Sequence, residues 1–311
     1  MRARNWLWVF GLAVCVVVGL APNALGQDIE SKGRAILEKN QAAVVTIQLV
    51  IKQKFSMSGA GSQEDESKQE ATGVVITPDG LTVLALSTTD PTSIYENMMA
   101  GMEGMGDKFK MESNLSDVKI LLGDGTEIPA KIVLRDKDLD LAFVRPATKP
   151  AQPMAALDLS QSGEPQVLDP LIALNRLGRV AGRAYCASIE RVHAVVRKPR
   201  TFYVPGNDPT HSGLGSPLFT LDGKIVGIIT LRTIKTGSAG LGGMMGSLAG
   251  GMDDSMLAIV VPADDIKEAA SQAPEDAVEA PPEPAEQAPE GVAATPPVPQ
   301  QNQEVVVPPG K

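Results

Sequence analysis

Cysteine and histidine are both nearly absent, with Cys15 and Cys186 the only thiols and His193 and His211 the only imidazoles. Cys15 falls inside an N-terminal apolar run, Trp6 to Leu20, that follows Arg2 and Arg4 and leads into "APNALGQ". Ala24 and Gly26 there have the spacing of a cleavage site, so residues 1–26 read as a secretory signal and the protein as exported, to the periplasm or beyond. The mature chain then holds a single thiol, which excludes an intramolecular disulfide and leaves the fold to its core. Long apolar runs are also missing. The N-terminal one is shorter than the roughly 20 residues a spanning helix needs, and no other segment approaches that length. Excess basic charge is absent too: the formal net charge is -9, so nucleic acid is not an expected partner.

That acidity is concentrated at one end. Residues 273–311 are rich in proline, alanine and glutamate, and their seven acids against Lys311 account for six of the nine net negative charges. A segment with so little apolar area cannot offset the entropy of ordering, so it is expected to form a disordered tail behind a folded domain spanning 27–272.

Between these ends the sequence is written in short strands. "AAVVTIQLVIKQKF" is a β-branched run, and "ATGVVITPDGLTVLAL" is two runs joined by a Pro-Asp-Gly turn. "DVKILLGDGTEIPAKIVLRD" and "PLFTLDGKIVGIITL" repeat the hairpin form with Asp124-Gly125 and Asp222-Gly223 at the turns. Helical patterning is confined to Ile29–Gln41 and Ala263–Ser271, so an all-β barrel or sandwich is predicted. The charged stretch "GSQEDESKQEA" reads as a solvated loop between the first two strands. Cys186, in an alternating run, reads as a small buried hydrophobe.

Several of these segments resemble the protease domain of the high-temperature-requirement (HtrA/Deg) family of exported trypsin-like serine proteases. "GVVITPDGLTVLALS" is similar to the strand pair before the family's catalytic histidine. "LGDGTEIPAKIVLRDKDLDLAFVR" is similar to the segment that carries its aspartate, and "SGLGSPLFTLDGKIVGIIT" to the nucleophile loop and the strands after it. The resemblance implies two six-stranded β-barrels with short terminal helices. It stops at the barrel pair, because the chain passes from "LAIVVPADDIKEA" into the proline-rich stretch with no PDZ-like segment.

Carried over residue by residue, the resemblance puts Ser87 at the histidine position, Asp140 at the aspartate position and Leu214 at the nucleophile position. A triad needs a hydroxyl activated by an imidazole that a carboxylate orients, and only the carboxylate is kept. His193 sits in the alternating run "SIERVHAVVRK", and His211 lies three residues before Leu214 in the same loop, so neither is expected to replace the missing base. Ser212 and Ser216 flank Leu214 without an evident base. Gly213 and Gly215 leave backbone N–H groups of the oxyanion-hole kind as candidate receivers of a peptide carbonyl. The peptide-binding cleft expected from the letters is therefore Ser212, Gly213, Leu214, Gly215 and Ser216.

Two insertions, 97–111 and 237–256, hold most of the twelve methionines together with much glycine, a composition suited to adaptable contact with apolar segments. Met99, Met102 and Met105 also form a weak candidate set for soft Cu(I) ligation. The reading that follows is an exported trypsin-like double barrel, proteolytically inactive, that binds extended or unfolded polypeptide or a partner protein and needs no cofactor. The alternatives are an active endopeptidase with displaced catalytic groups and a methionine-based copper-handling protein.

Overall fold

The computed structural model describes residues 24–57, 61–89, 109–206, 213–233 and 256–276. Residues 1–23 of the expected signal segment 1–26, the candidate copper set Met99, Met102 and Met105, His211, Ser212, the second methionine insertion before Met256, and the segment after residue 276 lie outside the described residues.

Among the described residues twelve strands close into two antiparallel six-stranded barrels, the architecture that the family resemblance implies and one of the two all-β forms that the hairpin pattern predicts. The first barrel contains β1 (Val44–Met57), β2 (Gly61–Val75), β3 (Thr82–Ala85), β4 (Phe109–Leu121), β5 (Glu127–Asp136) and β6 (Leu141–Pro146), in the order β1-β2-β3-β6-β5-β4. The second contains β7 (Pro170–Arg176), β8 (Tyr185–Val196), β9 (Phe202–Pro205), β10 (Pro217–Thr220), β11 (Ile225–Thr233) and β12 (Met256–Pro262), in the order β10-β11-β12-β9-β8-β7. Helix α1 (Ala24–Asn40) precedes them and α2 (Ala263–Ala270) follows.

The hairpin turns sit where Pro78-Asp79-Gly80, Asp124-Gly125 and Asp222-Gly223 place them. Each glycine takes a positive φ (93°, 87° and 81°) that an L side chain rarely adopts.

The buried apolar residues divide into three groups. Ile47, Leu49 and Ile120 belong to the interior of the first barrel, and Leu171, Leu218 and Val260 to that of the second. A third and larger group joins them: Val83 and Phe143 from one barrel meet Ile172 and Ile228 from the other, with Ile36 of α1 and Ile266 of α2 against the same seam. Removing these side chains from water is the main term that holds the barrels together.

The stretch "GSQEDESKQEA" is not the loop its polarity predicts. It is strand β2, paired residue for residue with β1 from Met57 opposite Gly61 to Val44 opposite Val74. The outer part of β1 also pairs with β4, from Ile51 opposite Leu115 to Met57 opposite Phe109, so three strands extend together. The register sets Lys52 opposite Glu66 and Lys54 opposite Glu64, and opposite charges across a ladder substitute for the apolar alternation that marks a half-buried strand.

The folded body also runs past residue 272. Ala273 packs on the seam between the barrels, and the carbonyl of Pro274 accepts from Arg145 Nε at 2.9 Å. Arg145 is nine-tenths buried and is also paired with Asp79. Removing 277–311 is therefore expected to leave the melting temperature within about a degree of the full chain, while removing 273–311 lowers stability by about 1 kcal/mol through the lost acceptor. Paired thermal melts of the two truncations measure the difference.

Candidate functional site

Asp140 ends the tight turn between β5 and β6 and takes φ 55°, a left-handed conformation that aspartate tolerates better than most residues. The turn is held from within by the Leu139 N–H donating to Asp136 Oδ1 at 3.0 Å. Its carboxylate is directed into the seam between the barrels. The Ser87 N–H donates to Oδ1 at 2.7 Å and the Ser87 hydroxyl to Oδ2 at 3.0 Å. From the other barrel, the Leu231 N–H on β11 donates to Oδ2 at 2.8 Å. The Asp140 carbonyl in turn accepts from the Leu86 N–H at 2.8 Å. One residue thus fastens the short helical turn after β3 (Leu86–Thr88) and reaches across to the second barrel.

Ser87 and Asp140 are both half-buried. Burial raises the Asp140 pKa to about 6, against the opposing pull of the Leu231 and Ser87 hydrogen bonds. The folded chain therefore holds its proton more tightly than the unfolded chain. The stabilising linkage is full below the ordinary value of 3.8 and is lost as pH rises through about 6. Lowering the pH from 7 to 5 is expected to gain about 1 kcal/mol from this group, a rise of a few degrees in melting temperature. Burial also raises Asp265, whereas Glu70 and Asp79 are lowered and act mainly at more acid pH. The assignment therefore rests on the variant: the same pH step in Asp140→Asn should gain about 1 kcal/mol less, and an unchanged gain would place the titration elsewhere.

The loop that holds the nucleophile position is described from Gly213 onward. Leu214 is half-buried and packs against the interior of the second barrel. Gly215 has φ 85° and lies so close to the first barrel that a Cβ would come within 2.1 Å of the Thr72 carbonyl oxygen. Its N–H donates to the Ile229 carbonyl at 2.8 Å, and the Ser216 N–H donates to the Gly213 carbonyl at 3.0 Å. Of the two glycine amides offered as peptide-carbonyl receivers, the one on Gly215 is thus committed to β11. The correction is physical: holding the loop against the sheet uses the donor that the letters alone leave open. Ser216 is fully buried, and its hydroxyl has no hydrogen-bond partner among the described residues. The same holds for Thr230, next to Leu231 on β11.

His193 is exposed on β8, with its Nε2 against Gly206, whereas the hydrogen bond from the second barrel to Asp140 comes from β11. Among the described residues, then, Asp140 and Ser87 come together, Leu214 and Ser216 stand on the loop across the seam, and no imidazole joins them. A carboxylate alone is far too weak a base to ionise the Ser87 hydroxyl, so the pair is an orienting contact without a nucleophile. Cys186 is half-buried on β8, and burial raises its thiol pKa, which disfavours the reactive thiolate.

The sequence did not disclose the Leu231 amide, because a main-chain donor leaves no mark in the letters. The buried hydroxyls of Ser216 and Thr230 were visible as letters but not as buried groups.

A family model described as a trypsin-like peptidase domain matches residues 71–228, just over half of the 311 residues. The match takes in Ser87, Asp140 and Leu214 and runs from the end of β2 into β11. A search of curated proteins found no match.

Proposed function

Because the chain belongs to the trypsin-like peptidase domain family, we propose that it is an exported, HtrA-like member that no longer cuts peptide bonds and instead holds extended polypeptide, or an extended segment of a partner protein, in the cleft between its barrels. The observation that carries this reading is the 3.0 Å hydrogen bond from the Ser87 hydroxyl to Asp140. A hydroxyl takes up the carboxylate at the position where the resemblance expects an imidazole. Leu214, at the nucleophile position, turns an apolar side chain onto the barrel interior. Ser216 has a hydroxyl in the loop but is buried, and among the described residues it is hydrogen-bonded to nothing that could accept its proton.

What supports binding without a reaction step is an apolar residue, Leu214, at the nucleophile position and a polar pair, Ser87 and Asp140, at the seam between the barrels. Export is supported by the basic, apolar and small-residue order of residues 1–26. The test is fluorescence anisotropy of labelled, unfolded casein with the chain from Gln27 onward. Saturable binding with the casein intact on a gel after prolonged incubation is the expected result. Either fragmentation of the casein or no binding at all would overturn the proposal.

A further inference from the structure

The Asp140 carboxylate carries a negative charge into the seam between the barrels without a counter-charge. Among the described residues no lysine, arginine or histidine forms an ion pair with it, and its raised pKa comes from burial with no charged neighbour contributing. Two other carboxylates among the described residues that are tied into the fold do have cations. Glu70 is bridged to Arg183 at 2.6 Å and to Arg179 at 3.0 Å, and Asp79 is bridged to Arg145. Asp140 instead receives only two main-chain N–H groups and one hydroxyl. Three donors leave acceptor capacity on the two oxygens, which together offer about four lone-pair sites. As whole residues, Asp140 and Ser87 both keep part of their surface exposed. Burying a carboxylate without a cation is unfavourable, and a charged donor delivered from outside relieves that at the moment it binds.

We propose that Asp140, with the Ser87 hydroxyl beside it, is a receptor for one positively charged N–H donor of a bound polypeptide, the ammonium, guanidinium or imidazolium of a lysine, arginine or histidine side chain. The proposal rests on the cleft-binding reading for the source of that side chain. The chemistry of the receptor rests on Asp140 alone. Oδ1 accepts only the Ser87 N–H, whereas Oδ2 accepts two donors, so the ligand's N–H enters at Oδ1 or takes the Oδ2 site that the Ser87 hydroxyl yields when its short side chain turns its proton away. The two main-chain amides keep the carboxylate in place. Specificity follows from the same arrangement: an acidic side chain at that ligand position meets like charge, and an apolar one leaves the carboxylate without a cation.

The Ser87 and Leu231 amides are direct reporters, because each donates to an Asp140 oxygen. In a nitrogen–proton correlation spectrum of the whole mature chain at pH 7.5, methylammonium and ethylguanidinium are titrated against tetramethylammonium, which has the charge but no N–H. The expected result is a saturable shift of these two cross-peaks with the N–H donors, little response to tetramethylammonium, and loss of the response in Asp140→Asn. Ser87→Ala, which leaves the carboxylate in place and removes a competing donor, should keep or strengthen it, so the outcome does not depend on one variant folding. Equal shifts with all three cations, or none with any, would overturn the receptor.

A second arm separates the receptor from the reading beneath it. A casein-derived host peptide is compared with lysine, alanine or glutamate at each position in turn. A position where lysine binds about tenfold more tightly than alanine in the wild type, and within about twofold in Asp140→Asn, supports the receptor. Peptides that bind with no such position leave the cleft reading standing and remove this one.

Discussion

Gly215→Ala is expected to destabilise the protein by about 4 kcal/mol or more, enough to leave little folded material at moderate denaturant. Two effects combine at this residue. Its φ of 85° is one an alanine adopts only with strain, worth about 1 to 2 kcal/mol. In addition the new Cβ would stand 2.1 Å from the Thr72 carbonyl oxygen, a main-chain atom of the other barrel that no rotamer change can move aside. Relief requires the loop to leave β11, breaking the hydrogen bond from Gly215 to Ile229, or the barrels to separate along their shared apolar seam. Gly125→Ala isolates the two effects. Gly125 has nearly the same φ, 87°, but open space around it, so only the conformational part applies, about 1 kcal/mol. Denaturant midpoints of the two variants measure the contrast. Equal losses would mean that the loop does not press on the first barrel.

Leu214→Asp is expected to weaken binding of unfolded casein by a few kcal/mol, well over tenfold in affinity, while Leu214→Ser changes it only modestly. Leu214 is half-buried against the interior of the second barrel, so a carboxylate there would lose part of its hydration and face an apolar surface. Serine is smaller and uncharged, and it keeps the shape of the loop, which Gly215 and the Ser216 N–H hold from the main chain. Circular dichroism confirms that each variant is folded before its affinity is read. Equal affinity in wild type and both variants would place the binding surface away from this loop.

The parts of this molecule that could be read from letters are those in which a local rule and the global fold agree. The Pro78-Asp79-Gly80 turn demands a positive φ at its glycine and is flanked by apolar runs, so β2 and β3 were legible with their connection. The same holds for β4 with β5 and for β10 with β11. Strand β2 shows where this ends. Its outer half is polar on both faces and is held by pairing to β1, with Glu64 and Glu66 opposite Lys54 and Lys52, so no apolar period announces it. At the site, both positions were legible through the family resemblance, Ser87 by its count from Gly80 and Asp140 by the match of "DKDLDLA" to the segment that carries the family's aspartate. Their joining was not, since it depends on how the turn after β5 meets the turn after β3. The engagement of the Gly215 amide by Ile229 was hidden for the same reason: it links residues that become neighbours only when the barrel closes.

The central claim is that the cleft binds without cutting, and labelling by an active-site fluorophosphonate tests it most directly. A fluorophosphonate marks any serine made nucleophilic by a working base, whichever residue it is. With the chain from Gln27 onward at pH 7.5, alongside an active serine protease as a positive control, no label should appear on the wild type, since Ser216 is buried without a partner among the described residues and Ser87 is held to a carboxylate. Label that appears on the wild type and vanishes in Ser212→Ala, Ser216→Ala or Ser87→Ala would contradict the account and identify the working nucleophile.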